Sequence, residues 1–235
     1  MWDDEEAAMQ KNRIINMNMC RQRGVSEPVL AEWQSGVRLD GHEDAAHFDL
    51  DDYQSVKFGM ERAAEEIDRL TSAGKIFWFE EDCVPDDLDV CPSSLIVRNA
   101  RMRLVHDWTR AGLNQHLALP DTSFDTVDSL INALRPNCVI AGMDIMDCFL
   151  HWPVHRDSRH RLGVRHPWTG RLGVYLFVPP GLAPAPGINE RNLAEATRVA
   201  SLDVPIIIRS FVDDLRLVNS VALSPDEDET TQLTA

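Results

Sequence analysis

The stretch that most constrains the fold is Phe211-Val212-Asp213-Asp214, in which two adjacent carboxylates follow one short apolar run and precede another. The flanking runs, residues 205–210 and 215–218, contain the β-branched and aliphatic side chains that favour strands. Asp-Asp favours a tight connection, so a hairpin with two acids at its tip is predicted. Such a pair repels itself unless a cation is present, and oxygen ligands suit Mg²⁺ or Mn²⁺. A solvated Asp-Asp turn explains this stretch alone equally well.

Length and composition set the broad class of the protein. With 235 residues, 44% of them hydrophobic, the chain can bury the core of one sizeable domain or two small ones. No run of 18 apolar residues occurs, and residues 1–6 are acidic, so neither a membrane span nor a secretory signal is predicted. The five cysteines form no CxxC pair, which favours reduced thiols. An intracellular protein, cytoplasmic or nuclear, is therefore expected.

The net charge of −15 is distributed unevenly along the chain. Residues 1–90 carry 9 basic and 22 acidic side chains, residues 91–220 carry 14 and 12, and residues 221–235 carry none and 4. All 14 basic residues of the middle block are arginines, which suit bidentate phosphate contacts. The block is either an ordinary arginine-bearing surface or a phosphate-binding region flanked by acidic segments.

Hydrophobic periodicity predicts the regular elements. Helices are expected at residues 60–70, 125–134 and 188–200, and hairpins at residues 95–105 and 161–178. The apolar run 138–145 ends in an acid and predicts a strand buried on both faces. Residues 1–58 show no sustained period and are rich in acids, so a poorly ordered acidic extension is predicted there.

Four blocks of the sequence occur in the order found in one known family. Asp144 lies 69 residues before Asp213, and an acid at a strand end plus a later acidic pair suits two-metal nucleotidyl transfer. The chain resembles the reverse transcriptases, closest to those of gypsy-type or tyrosine-recombinase-type retrotransposons, over residues 60–220. The four blocks are Ser94–Arg98 with Arg103–Asp107, Met143–Pro153, Val178–Pro186, and Phe211–Asp214.

The resemblance implies a role for each matching residue. Asp144 and Asp213 would hold two catalytic Mg²⁺ or Mn²⁺ ions, Asp214 would support them, and the carbonyl of Ile145 would complete a coordination sphere. On the dNTP side, the implied residues are Phe149 as a steric gate against ribonucleotides, Arg98 and Arg103 at the triphosphate, and Gly181 at the close backbone approach. On the template-primer side, they are Pro180, Leu182 and Pro186.

The resemblance also implies a fold and an activity. The fold would be α+β, with reverse-transcriptase-like fingers and palm, an antiparallel sheet backed by helices, over residues 59–224, and an acidic tail at 225–235. The activity would be RNA-directed DNA polymerisation, transferring a nucleotide from a dNTP to a primer 3′-OH on a template. The chain looks like a fragment of a retroelement polyprotein, truncated after the Asp-Asp block. Without thumb or RNase H partners it is expected to be weak or inactive.

Some residues depart from the family pattern, and other function classes remain open. Pro180 stands where the family has Phe or Gln, and Asn189 stands where Phe is expected. The chain could be a catalytically inactive remnant or a domesticated nucleic-acid- or protein-binding module. It could also be a structural partner acting through its acidic first 90 residues. Asp147 is either an acid facing the nucleotide or a helix N-cap.

Two further patterns favour ordinary surface or core roles. The tripeptide at 155–157 matches a kinase catalytic loop, but the Asn that such a loop requires is missing. His151, His155, His160 and His166 lack a Cys or carboxylate at zinc-ligand spacing, so surface histidines near phosphate are favoured. Trp152 and Trp168 could stack on bases, although core packing is the commoner fate of tryptophan.

Overall fold

A computed structural model describes residues 16–98 and 101–219 of the protein. The predicted acidic tail at 225–235 and the first 15 residues lie outside these ranges. The chain divides into two compact units. The first comprises residues 1–121 and 149–189, and the second comprises residues 122–148 and 190–235.

The described part of the chain contains helices together with antiparallel sheets, which confirms the α+β class. Its α-helices are α1 (Met17–Gln22), α2 (Glu27–Ser35), α3 (Gln54–Phe58), α4 (Met60–Ser72), α5 (Val127–Ala133) and α6 (Ala185–Ala200). Its strands are β1 (Ile76–Trp78), β2 (Ser93–Arg98), β3 (Arg101–His106), β4 (Ile140–Asp144), β5 (Gly163–Arg165), β6 (Leu172–Tyr175), β7 (Ile206–Phe211) and β8 (Asp214–Asn219). None of the helices described is both long and apolar enough to cross a bilayer.

Local sequence signals account for the predicted helices. Helix α4 forms because Ala63, Ala64, Ile67 and Leu70 recur at helical spacing, and all four are buried. Helix α5 begins at a capping box in which Thr126 and Ser129 satisfy each other's backbone amides. It ends at Leu134, ahead of Pro136, where a following proline disfavours helical geometry.

The first unit holds a three-stranded sheet of order β1-β6-β5 and the separate β2-β3 hairpin. Both expected hairpins therefore form, with β2 and β3 in register from Ser93↔His106 to Arg98↔Arg101. The largest fully buried side chains include Trp108, Tyr175 and Leu30, which pack its core.

Residues 16–58 differ from the extension expected from the sequence. They contribute α1, α2 and α3 to the first unit, and they bury Val29, Leu30, Trp33, Val37 and Leu39. The amide of Val37 donates to the Pro153 carbonyl at 2.7 Å, and the His155 amide donates back to Val37 at 2.8 Å. The sequence prediction missed these short helices because of the high acid content. Acids on the exposed face of a helix lower the mean hydropathy of the segment without preventing burial of the opposite face.

The second unit contains the sheet β4-β8-β7, helix α5 and the part of α6 from Glu190 onward. Strand β8 lies between its two antiparallel neighbours. The expectation that β4 would be buried on both faces is wrong, since all five of its residues are exposed. Strand β4 is an edge strand of this sheet, and an apolar run shows strand propensity but not how many neighbours cover the strand.

Candidate functional site

The acidic hairpin, residues 206–219, forms, although its turn lies one residue earlier than the Asp-Asp connection that the sequence predicts. Strands β7 and β8 pair from Ile206↔Asn219 to Phe211↔Asp214, which leaves Val212 and Asp213 as a two-residue turn. Val212 has a φ of 64°, a left-handed conformation that is rare for a β-branched residue. The turn exposes Asp213 at the tip of the hairpin.

The strand register brings Asp144 to the same place. Asp144, the last residue of β4, stands directly opposite Asp214 on β8, so both lie on one face of the sheet. The amide of the next residue, Ile145, donates to the carbonyl of Asp213 at 2.8 Å. Asp144 is thus brought to the same end of one three-stranded sheet as Asp214 and Asp213, although Asp213 follows it by 69 residues in the sequence.

The charge at this position is partly balanced by Arg216. Its Nη1 lies 3.1 Å from Oδ1 of Asp214, and both side chains are partly exposed. Gly142, opposite Arg216 in the register, leaves room for the guanidinium, because a Cβ there would lie 3.3 Å from Nη1. In the described residues no three His, Cys, Asp or Glu side chains are grouped as a metal-binding set. The groups available to a cation are oxygens, the ligand type that Mg²⁺ and Mn²⁺ prefer.

A buried carboxyl lies under β7. Glu190 on α6 is 4% exposed, and its Oε1 accepts a hydrogen bond from the Ser210 hydroxyl at 2.7 Å. Within residues 16–98 and 101–219, its Oε2 has no hydrogen-bond partner. Burial raises the pKa of Glu190, and the nearby Asp125 raises it further. Asp125 itself accepts from the Ser210 amide at 3.0 Å, which satisfies the outer edge of β7.

The arginines expected at the triphosphate lie in the first unit. Arg98 on β2 and Arg103 on β3 are both exposed. The pair Ile96↔Arg103 places Arg103 on the same face of the hairpin as Arg98, because residues two apart on a strand share a face. Phe149, in the 3-10 turn Cys148–His151 and half-buried, also belongs to the first unit. The three acids belong to the second unit.

The Pro180-Gly181-Leu182 loop has a defined conformation in the first unit. Gly181 has a φ of 93°, and a Cβ there would lie 3.1 Å from the His106 carbonyl. Asn114 bridges the loop, donating to the Gly181 carbonyl at 3.0 Å and accepting from the Ala183 amide at 2.8 Å.

Within this loop Pro180 and Gly181 are exposed, whereas Leu182 is buried and Pro186 half-buried. The loop can therefore offer backbone and Pro180 to a ligand, but not the Leu182 side chain.

Several residues singled out in the sequence have structural partners in the first unit. Trp152 is buried and donates from Nε1 to Oδ1 of Asn189 at 2.7 Å, which gives the departure at Asn189 a packing role. His155 caps the 3-10 helix Arg156–Arg161 by accepting from the Asp157 amide. Trp168, by contrast, is 68% exposed.

Four residues of the second unit were missed by sequence reasoning. They are Val212, with its left-handed backbone, Arg216 beside Asp214, the buried Glu190, and Cys148, whose thiol donates to the Val212 carbonyl at 3.4 Å. Strand alternation could have indicated Arg216, which lies two residues after Asp214 and so on the same face. The other three depend on contacts between distant segments and leave no local signal.

No protein-family model matches the chain, and comparison with curated protein sequences finds no significant match. A function has to be inferred from the side chains and their geometry.

Proposed function

We propose that the chain is a reverse-transcriptase fingers-and-palm module that carries out RNA-directed DNA synthesis. The observation that supports the proposal most is the register of the acidic hairpin: Asp144 opposite Asp214, with Asp213 in the adjoining turn. A two-metal nucleotidyl transfer needs carboxylates from separate segments that share one small volume. The module is proposed to act inside the cell, with the thumb and RNase H of a retroelement polyprotein as partners.

In this proposal each group has a definite task. Asp144 and Asp213, with the Ile145 carbonyl, would hold two Mg²⁺ or Mn²⁺ ions, and the bound ions would supply the charge stabilisation that nucleotidyl transfer needs. Asp214 supports the Asp213 carboxylate from the adjacent position. Arg98 and Arg103 bind the triphosphate as bidentate donors. Phe149 excludes a ribose 2′-OH, and Pro180 and Gly181 contact the template-primer through the exposed loop.

Single-nucleotide primer extension tests the proposal directly. The full chain is incubated with poly(A)/oligo(dT), dTTP and Mg²⁺ or Mn²⁺, and addition of one nucleotide is followed. We expect slow, metal-dependent addition by the parent chain and none by Asp213→Asn, because that variant lacks a metal ligand. Asp203→Asn, an exposed acid of the same unit, serves as the matched control and should behave as the parent. Extension that survives Asp213→Asn contradicts the assignment.

Nucleic-acid binding gives a second measurement. The chain carries a net charge of −15, so a polyanion should bind only through its arginine-rich part. We expect affinity for a template-primer to fall steeply between about 50 and 200 mM salt, as counterion release requires. Replacing Arg98 and Arg103 with Gln should reduce the salt dependence. An unchanged slope removes these two arginines from the interface.

A catalytically inactive binding module is the second candidate. It is favoured by the Arg216–Asp214 ion pair, which gives Asp214 a partner without any cation, and by Pro180, which lacks an amide donor beside the expected nucleotide site. This candidate predicts template-primer binding that does not depend on a divalent cation and no extension under any condition. The first candidate predicts that Mn²⁺ tightens binding of the incoming dNTP.

A further inference from the structure

The turn of the acidic hairpin holds a backbone conformation that its sequence does not favour. Val212 is the first central residue of a two-residue turn, a position where a positive φ normally selects glycine. A β-branched side chain is strained there. Strained residues of this kind persist where neighbouring groups hold them, and they concentrate at functional sites.

Two hydrogen bonds from the segment after β4 hold this turn. The amide of Ile145 donates to the Asp213 carbonyl at 2.8 Å, and the thiol of Cys148 donates to the Val212 carbonyl at 3.4 Å. We call these two bonds the hairpin clamp. Both carbonyls of the turn residues are therefore bound by one short segment of chain.

The geometry of that segment explains how one stretch reaches both carbonyls. Asp147 has a φ of 53° and lies in the turn at residues 146–147, between the two donors. Cys148 is 6% exposed, which keeps water away from its weak S–H donor. Because the segment begins at Asp144, the clamp connects the first catalytic acid to the turn that carries the second.

We propose that Cys148 is a positioning residue of the acidic site: with the Ile145 amide, it fixes the Val212 and Asp213 peptide units and so sets the position of the Asp213 carboxylate relative to Asp144. This role in catalysis rests on the proposed function. The clamp itself is a property of the fold and can be tested without activity.

Hydrogen exchange of the full chain, followed by mass spectrometry, tests the clamp. Cys148→Ala removes the donor, Cys148→Ser keeps one, and Cys138→Ala is a matched control in the same unit. We expect Cys148→Ala to speed exchange in peptides covering 206–219 by about two- to fivefold, the factor of one weak hydrogen bond. Cys148→Ser and Cys138→Ala should exchange as the parent does. Unchanged exchange in Cys148→Ala, or equal acceleration in first-unit peptides, overturns the proposal.

A double-mutant cycle with Val212→Gly separates the clamp from a simple loss of side-chain volume. Glycine adopts the left-handed turn without strain, so the hairpin no longer needs the Cys148 bond. We expect Cys148→Ala to have little effect on hairpin exchange in the Val212→Gly background. Additive effects of the two substitutions would show that Cys148 acts through packing alone.

Mn²⁺ binding, measured by electron paramagnetic resonance, separates this proposal from the proposed function. We expect the parent to bind Mn²⁺, Asp213→Asn to lose it, and Cys148→Ala to bind about two- to fivefold more weakly, in step with its exchange rate. A parent without Mn²⁺ binding overturns the metal site, and with it the catalytic role of Cys148. Mn²⁺ binding that is unaltered in Cys148→Ala leaves the metal site standing and overturns the positioning role.

Discussion

Asp144 and Asp214 lie directly opposite each other on neighbouring strands, where like charges destabilise the pair. Among the residues that the structure describes, Arg216 is the ion-pair partner of Asp214, and that pair is partly exposed and therefore weak. Carboxylates at these two positions are expected to repel each other, and a divalent cation bound there under the proposed function would relieve that repulsion. Such a trade of stability for function is common where charges serve binding or catalysis.

This trade predicts opposite effects of one substitution on stability and activity. Asp144→Asn should raise the free energy of unfolding by about 0.5 kcal/mol without a divalent cation, because the cross-strand repulsion is gone. It should also abolish single-nucleotide extension. Urea denaturation with and without Mn²⁺ measures the first effect, with Asp203→Asn as control. A variant that is less stable than the parent would contradict the assigned repulsion.

His106 gives the fold a dependence on acid pH. Its ring is buried between the Ser93 hydroxyl at 3.0 Å and the Tyr175 hydroxyl at 2.8 Å. Burial lowers the pKa of His106 from 6.5 to about 4. Between these two values the unfolded chain binds a proton that the folded chain does not, so stability falls as the pH falls.

The expected loss is about 3 kcal/mol from neutral pH to pH 4, from the linkage between pKa shift and stability. Denaturation at a series of pH values measures it. His106→Gln keeps a hydrogen-bonding side chain and removes the titration, so its stability should vary less over this range. Equal losses in parent and variant would assign the acid sensitivity to other groups.

The positions of Asp144 at a strand end and of Asp213 and Asp214 in a hairpin could be predicted from the sequence, because Asp-Asp between apolar runs and an acid closing a strand are local signals. The conformation of Val212 and the Cys148 bond could not. The Cys148 bond depends on the register between β4 and β8, which joins segments about 70 residues apart, and the left-handed Val212 depends on which two residues form the β7–β8 turn.

The same distinction holds for hairpins and strands. Features that depend on neighbouring residues were predicted from the sequence, and features that depend on distant segments were not. The β7–β8 and β2–β3 hairpins form where the sequence predicts them, because turn residues and alternating strands lie within a few positions of each other. The burial of β4 was predicted wrongly. Whether Ile140 and Met143 are covered depends on which elements flank the sheet, and an apolar run carries no information about that.

The contact between α6 and β7 gives a prediction about packing. Glu190 accepts a hydrogen bond from Ser210 on one carboxyl oxygen, and the other is buried without a hydrogen-bond partner in the described part of the chain. A buried polar group without a partner costs about 1–3 kcal/mol. The pKa of Glu190 is raised above 4.5 in the folded chain, so this carboxyl keeps its proton to a higher pH in the folded chain than in the unfolded chain. The free energy of unfolding therefore falls as the pH rises from 4.5 through the raised pKa.

Glu190→Gln should therefore stabilise the chain by about 1 kcal/mol at pH 7, and by less at pH 4.5, because the raised pKa leaves more of the parent carboxyl protonated there. Thermal or urea unfolding at both pH values measures the difference. Glu195→Gln, which breaks the surface pair with Arg198 at 2.7 Å, is the control and should cause a small loss. A gain that does not depend on pH would argue against the raised pKa.

At the scale of the whole molecule, residues 16–58 determine how far the chain can be shortened from its N-terminus without loss of stability. Helix α2 and the segment after it bury Val29, Leu30, Trp33, Val37 and Leu39, and the ring of Trp33 stacks on Trp152 at 6.5 Å. Burial of large apolar side chains contributes about 1.5–3 kcal/mol each. Together these residues represent as much as the net stability of an ordinary domain, about 5–15 kcal/mol.

A chain of residues 59–235, cut at the boundary that the sequence suggested, should therefore fail to unfold cooperatively. The full chain serves as the reference. Circular dichroism and tryptophan fluorescence during urea denaturation compare the two. A cooperative transition in residues 59–235 at the parent's urea midpoint would show that the N-terminal helices are dispensable.

Strand β4 has an exposed edge, and Asp144 at its end opposes aggregation through that edge. The strand carries no Pro or Lys, the residues that commonly protect sheet edges, and its exposed Ile140 and Met143 suit intermolecular β-pairing. Asp144 is the only charged residue of β4, so its carboxylate is the charge that opposes pairing of this strand with a strand of another molecule. Neutralising Asp144 should raise the free energy of unfolding of the single chain but lower the solubility of the protein. Turbidity should therefore rise faster at high concentration.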